Sequence, residues 1–275
     1  MNDIIEIERS IIKQYRSKLW AKFVAALKEY ELLKENDKVC VCISGGKDSM
    51  ILAKLFQELK KHSDFEFDVK YLVMNPGYNE VNLNKIKENL TRLNIPATIV
   101  ETDVFEVASM QTKNSCFLCA KMRRGALYRI AKDMGCNKIA LGHHYDDVIQ
   151  TTLMNVLNAG TFQTMMPKLH SENFEGMELI RPMYLIREKD IINWCKYNEL
   201  EFIRCACKFT ENLEINEDAS KRHLTKKLIQ DLLEYNPNVE KNIFKSTTNV
   251  NINKIIGYKK DGIVYSFLDE YEENK

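Results

Sequence analysis

The chain has 275 residues, 45% of them hydrophobic, with only ten glycines and five prolines, so one large domain with additions and a substantial core is expected. A formal charge of +1 with 29% charged residues excludes a global electrostatic attraction to nucleic acid, and any such surface must be a local patch. Met1 to Ser10 carries three acidic residues and no apolar run, and nowhere do eighteen apolar residues occur together, so a cytoplasmic protein without membrane contact is expected. Eight cysteines in such a chain point to metal or catalysis more than to disulfides.

In chain order, Glu8 to Lys34 reads as one long helix with Ile11, Ile12, Tyr15, Leu19, Phe23, Leu27 and Tyr30 on one face. Its basic side (Arg9, Lys13, Arg16, Lys18, Lys22) reads as a solvated face. Asn36-Asp37 breaks the helix before Val39-Cys40-Val41-Cys42-Ile43, an apolar run suited to a strand buried on both faces. There follow a tight polar loop, Ser44-Gly45-Gly46-Lys47-Asp48-Ser49, and a helix from Met50 to Lys61 with Ile51, Leu52, Leu55 and Leu59 at helical spacing. Glycines at such a junction bring the backbone close to a ligand while the free amides of the helix start face it, so an anion belongs there. The loop lacks the four-residue spacer of the Walker-type phosphate loop and the third glycine of the dinucleotide fingerprint. A bare glycine pair would be an ordinary turn, but these six residues in unbroken order read as an ATP site.

Phe67 to Met74 reads as a second strand ending at the turn Asn75-Pro76-Gly77, with the backbone near Met74 placed to read an adenine edge. A helix from Glu80 to Leu93 and a strand from Ala97 to Glu101 continue a doubly wound α/β alternation with a mostly parallel sheet. Cys116-Phe117-Leu118-Cys119 then leads into a basic helix. It has no second C-x-x-C at zinc-ribbon spacing, and the next thiol pair, Cys205-Ala206-Cys207, begins 86 residues beyond Cys119. Cys40, Cys42, Cys136 and Cys195 read as small buried hydrophobes. Asn137 to Leu141 is a further strand; Gly142-His143-His144-Tyr145-Asp146-Asp147 stands at its end and opens a helix from Val148 to Asn158. Asp146 and Asp147 are both candidates to hold magnesium against a pyrophosphate.

The loop resembles the pyrophosphate loop of the ATP pyrophosphatases, and the chain as a whole resembles the tRNA 2-thiocytidine synthetase family within them. The likeness runs from Ser44 through Cys116 to Cys119, Arg123 to Arg129, Leu141 to Asp147, Pro167-Lys168-Leu169, Ile180-Arg181-Pro182 and Arg187 to Ile191, and fades after about Val250. It implies an adenine nucleotide α-hydrolase-like sheet at 36–204, an N-terminal helical segment at 1–35, and a C-terminal helical extension and tail at 205–275. It also implies that ATP and magnesium are bound by Ser44, Gly45, Gly46, Lys47, Asp48, Ser49, Met74, Gly142, His143, Asp146 and Asp147, with Lys47, Asp48, Arg123 and Asp147 serving the chemistry. In the family three cysteines hold a four-iron, four-sulfur cluster whose fourth iron is free to bind sulfide, and matching gives Cys116, Cys119 and Cys205. The family usually shows C-x-x-C at the last site, so Cys207 stays open as an alternative third ligand, although Glu201-Phe202-Ile203-Arg204 leads directly into Cys205.

The implied reaction is attack of a cytidine C2 carbonyl oxygen on the α phosphate of ATP, loss of pyrophosphate, and displacement of AMP by sulfide. Arg123 and Arg124 lie beside the implied cluster as candidate contacts to substrate or adenylate. The partners implied are tRNA and a sulfur donor, a cysteine desulfurase or free sulfide; whether two copies pair as a homodimer is left open. Basic residues for tRNA recur at Lys121, Arg123, Arg124, Arg129 and Lys132, and at Lys208, Lys221, Arg222, Lys226 and Lys227, the last four within a helical pattern from Asp218 to Glu234. Two other readings are another adenylating enzyme of the same fold and a non-enzymatic iron-sulfur RNA-binding or sensor protein. ATP turnover separates the second from the rest. The aromatic and acidic tail from Gly257 to Lys275 has no recognised counterpart.

Overall fold

The computed structural model describes residues 3–102, 115–203, 221–269 and 271, with 115–120 described as backbone only. Strand β1 (Lys38–Ile43) carries the unbroken apolar run expected of a strand covered on both faces, and all but Lys38 are buried. Strand β2 (Asp68–Asn75) pairs with it in parallel and β3 (Ala97–Glu101) pairs in parallel with β2. On the other side of β1 lie β4 (Lys138–Ala140) and β6 (Glu178–Ile180), again parallel, and β5 (Lys168–His170) closes that edge antiparallel to β6. The order β3-β2-β1-β4-β6-β5 means the chain winds one way from β1 and then the other, so a crevice opens beyond the carboxyl ends of β1 and β4.

The helices are α3 (Lys47–His62) after β1, α4 (Glu80–Arg92) after β2, α5 (Ser115–Asp133) before β4, α6 (Tyr145–Met154) after it and α7 (Glu188–Tyr197) beyond β6. Two more, α8 (Lys221–Tyr235) and α9 (Val239–Ser246), lie past the sheet, and a hairpin of β7 (Gly257–Lys260) and β8 (Ile263–Ser266) follows. None of the described helices is long and apolar enough to cross a membrane.

The single helix expected over residues 8–34 is interrupted. It divides into α1 (Ile4–Ile12), a π-helical turn at Arg16–Trp20, and α2 (Ala21–Glu29). Buried Ser10 explains the break: its hydroxyl donates to Ile7 O at 2.6 Å and receives Trp194 Nε1 and Asn198 Nδ2, while Tyr15 N–H reaches back five residues to Ser10 O. The bend lets Ile7 and Ile11 on one side and Leu19, Phe23 and Leu27 on the other enter the core that β1 and α3 also line. Phe23 meets Phe56 of α3 edge-on at 5.5 Å. Fully buried Lys54 of α3 is held by Glu8 Oε1 at 2.5 Å, Gln57 Oε1 at 2.6 Å and Leu93 O at 3.0 Å.

Candidate active site

The loop between β1 and α3 is laced by its own serines. Ser49 Oγ accepts from Ser44 N–H at 3.1 Å and donates to Gly46 O at 2.9 Å. Gly46 caps α3 with no side chain of its own, leaving the first-turn amides to a ligand. Gly45 has φ +88°, and a Cβ there would stand 2.6 Å from Ile86 Cγ1 and 2.7 Å from Ile203 Cδ1. Gly142, at the end of β4, presses on the same turn: its Cβ would lie 3.0 Å from Asp48 C and 3.1 Å from Ser49 N.

A cavity of about 350 Å³ opens at the switch point. Its walls include Ser44, Asp48, Ser49, Met74, Arg123, Gly142, His143 and Asp147 from the expected set, and also Cys42, Ile43, Leu127 and Leu141. Gly46 and Lys47 face a second cavity of about 720 Å³ between the loop and α7, which Asp48 also lines. Asp48 and Asp147 border a third, of about 340 Å³, with Arg222 and Lys226 of α8. Asp146 lines none of these. Its Oδ2 accepts from Glu188 N–H at 2.7 Å and its Oδ1 from Arg187 at 3.3 Å, which ties the start of α6 to the start of α7.

The charges fall into two groups, one around Lys47 and Glu188 and one at Asp147. Lys47 Nζ donates to Asp48 Oδ2 at 3.1 Å and Glu188 Oε1 at 3.0 Å; Lys226 Nζ takes the other Glu188 oxygen at 2.9 Å, and Arg222 holds Asp147 Oδ1 at 2.8 Å. Burial alone would push the Lys47 ammonium down, but Asp48 and Glu188 together raise it. Burial raises the Asp48 carboxyl, with Lys47 and His144 opposing. Burial works against the charged form of Glu188 as well, yet Lys226 and Lys47 bring it down to about 2. His143 is held down to about 4, by burial first and Arg181 second, so its imidazole is neutral at physiological pH.

Asp48 Oδ1 and His143 Nδ1 are buried without a hydrogen-bond partner. Polar atoms so placed suit a phosphate ester and its magnesium, for which the carboxylates of Asp48 and Asp147 are the hard oxygen donors to hand. Cys116 and Cys119 fall in the opening turns of α5, three residues apart and so on one helix face, and Arg123, one turn on, is in the cavity wall. Cys205 and Cys207 lie outside the described residues, although Ile203 packs at the Gly45 turn. Of the remaining cysteines, Cys40, Cys136 and Cys195 are buried as expected, while Cys42, also buried, edges the cavity. Burial pushes the Cys195 thiol up to about 12, which makes it inert.

Sequence reading assigned no role to Glu188, nor to the pairings Arg222–Asp147 and Lys226–Glu188. Glu188 sits in one of the stretches that carry the family likeness, and Arg222 and Lys226 in a basic tract; that they meet across 75 and 38 residues has no local signal.

Residues 15–215 match the family model of the PP-loop domain. The chain is 34% identical over 254 residues to a tRNA-cytidine(32) 2-sulfurtransferase of Coxiella burnetii, covering 90% of this chain and 95% of that one. It is 36% identical over 246 residues to a protein of Francisella philomiragia called tRNA-cytidine(32) 2-sulfurtransferase 1, covering 87% and 92%. Among solved structures it resembles the U34-tRNA thiolase NcsA of Methanococcus maripaludis, determined with its four-iron, four-sulfur cluster, at TM-score 0.64 and 22% identity over 83% of this chain and 76% of that one; at that identity the likeness establishes the fold.

Proposed function

This chain belongs to the PP-loop family and, within it, to the tRNA-cytidine 2-sulfurtransferases, and from that premise we propose how its residues divide the reaction. It is an ATP-dependent tRNA thiolation enzyme that adenylates the C2 carbonyl oxygen of an anticodon-loop cytidine and replaces that oxygen by sulfur, releasing AMP and pyrophosphate. The observation that carries the assignment of roles is the shared wall: Ser44, Asp48 and Ser49 of the loop line one cavity with Met74 and Arg123, and Arg123 stands one turn beyond Cys119 on α5.

The loop amides and Lys47 take the phosphates, with Lys47 exchanging its hold on Glu188 for the charge that grows on the leaving pyrophosphate. Asp48 and Asp147 hold magnesium, while Asp146 orients the strand-end loops. Met74 borders the adenine, and neutral His143 and Gly142 form the floor. Arg123 faces the cytidine and its adenylate. Positioning dominates, since the attacking oxygen and the sulfur nucleophile need placing more than activating. Cys116, Cys119 and Cys205 bind the cluster, with Cys207 the alternative to Cys205. A cluster held by these cysteines would supply a soft iron centre for sulfide. Sulfur comes as free sulfide from solution, or from a cysteine desulfurase whose persulfide is reduced to sulfide by a thiol that is itself oxidised to a disulfide, in the cytoplasm where the tRNA substrate is.

The test is anaerobic reconstitution with ATP, sulfide and unmodified tRNA, read by nucleoside mass spectrometry. One 2-thiocytidine per AMP is expected. Lys47→Ala and Asp48→Ala should lose AMP formation and keep iron, Cys116→Ala should lose iron, and Cys205→Ala should lose iron where Cys207→Ala keeps it. ADP and phosphate as products, or sulfur on a uridine, would overturn the reading; iron lost in Cys207→Ala alone would move the third ligand to Cys207.

A further inference from the structure

Arg181 follows the last residue of β6 and is 5% exposed. One of its terminal nitrogens donates to Met166 O, and its Nε has no partner. Among the described residues no carboxylate pairs with it. A buried guanidinium with no carboxylate in ion-pair reach is costly, and such a site is completed by an anion. Burial first, and then the like charge of Arg124, exposed on α5, bring Arg181 down to about 10, with the Asp147 carboxylate opposing them from beyond ion-pair distance. Tyr128, one turn beyond Arg124 and stacked on Phe174 at 5.4 Å, packs in one core cluster with Leu179, two residues before Arg181, which brings the Arg124 turn of α5 beside the end of β6, and it feels both arginines.

We propose that Arg181 and Arg124 form a second phosphate site, separate from the ATP loop, which grips a backbone phosphate of the RNA substrate. This rests on the tRNA thiolation reading and specifies the contact made there. Val41, Ala140 and Ile180 are in register across β1, β4 and β6, so Arg181 lies two strands from the ATP loop, roughly 10 Å at ordinary strand spacing. The phosphates of ATP are engaged at the start of α3 and do not need a second grip at that distance. A nucleotide held by Arg124 and Arg181 would hang its base toward His143 and Arg123 in the cavity wall, and toward the opening of α5 that bears Cys116 and Cys119. Fork-shaped guanidinium groups suit a phosphate, and one at the mouth with one at the back would fix the depth to which the strand enters.

The test is the salt dependence of tRNA binding by the cluster-loaded enzyme, using an unmodified transcript and fluorescence anisotropy. Arg124→Gln should weaken binding about tenfold near 0.1 M salt and make the log–log salt slope shallower by about 0.7, the value for one single-strand phosphate contact. Arg181→Lys should weaken binding with little change of slope, because the charge stays while the fork is lost. The Kd for ATP should be unchanged in both. An unaltered slope in Arg124→Gln would overturn the proposal; a raised Kd for ATP with normal tRNA binding would overturn it too, by giving the anion site to the nucleotide. If the unaltered enzyme bound no tRNA, the thiolation reading would fail first, before any variant was made.

Discussion

A methyl group on Gly142 would meet backbone atoms of Asp48 and Ser49 at 3.0 to 3.1 Å, and neither side of that contact ends in a flexible side chain. Gly142→Ala should therefore push the β4 end off the ATP loop and raise the Kd for ATP roughly tenfold with the cluster retained, as isothermal titration would show. The absence of a Cβ at Gly142 was legible only as part of a six-residue string; what that absence is for depends on a strand 90 residues away in sequence from the loop. Glu188 offers a pH test. Its carboxyl is lowered from 4.5 to about 2, so the stability it contributes is fully present above about pH 4.5 and is lost as pH falls toward 2. Urea titrations should show Glu188→Gln less stable than the parent chain near pH 6, with the gap closing as the pH is lowered below 4. A constant gap would mean that the ion pairs with Lys47 and Lys226 contribute nothing.

At the scale of elements, α1 is joined to α3 through a charged contact inside an apolar core. Lys54 is fully buried and Glu8 partly so, and Glu8 keeps Lys61 at 2.7 Å as a second partner. Lys54→Met should cost about 3 kcal/mol in urea denaturation, toward the low end for breaking a buried pair because Glu8 retains that second partner. Adding Glu8→Gln should cost little more, since the two sites share one interaction. The strands and helices of the nucleotide domain were readable because burial on both faces forces continuous apolar runs, as at Val39–Ile43, and because Asn75-Pro76-Gly77 and Gly142 punctuate them. The break at Ser10 was not readable: it depends on Trp194 and Asn198, and local periodicity runs straight through it. Strands β5 and β6, of three residues each, are too short to show a period.

For the whole molecule, the terminal hairpin stands apart. Among the described residues no hydrogen bond, ion pair or ring contact links 250–269 to what precedes it, and its own contacts are internal, including the stacked Tyr258 and Tyr265 at 4.8 Å. The turn Asp261-Gly262, with both φ positive, is the two-residue hairpin signal, and it was present in the sequence although the tail as a whole matched nothing familiar. Truncation after Asn249 should shift Tm by less than about 2 °C and leave pyrophosphate release intact, as calorimetry and a phosphate-release assay would show. The candidate site was legible as separate strings, the loop and the Gly142 to Asp147 run, because each is contiguous. Its closure by α8 was not, because Arg222 and Lys226 reach their acids only after the chain has returned across the sheet.

The Ser10 anchorage also sets an order of events during synthesis. Trp194 and Asn198 are translated 184 and 188 residues after Ser10. At about 5–20 residues per second, α1 emerges on the order of ten seconds or more before the groups that fix its bend exist. Until then Ile7 and Ile11 have only part of their final surroundings, so α1 is made well before it is locked, and a chain arrested before Trp194 would present that apolar face to chaperones.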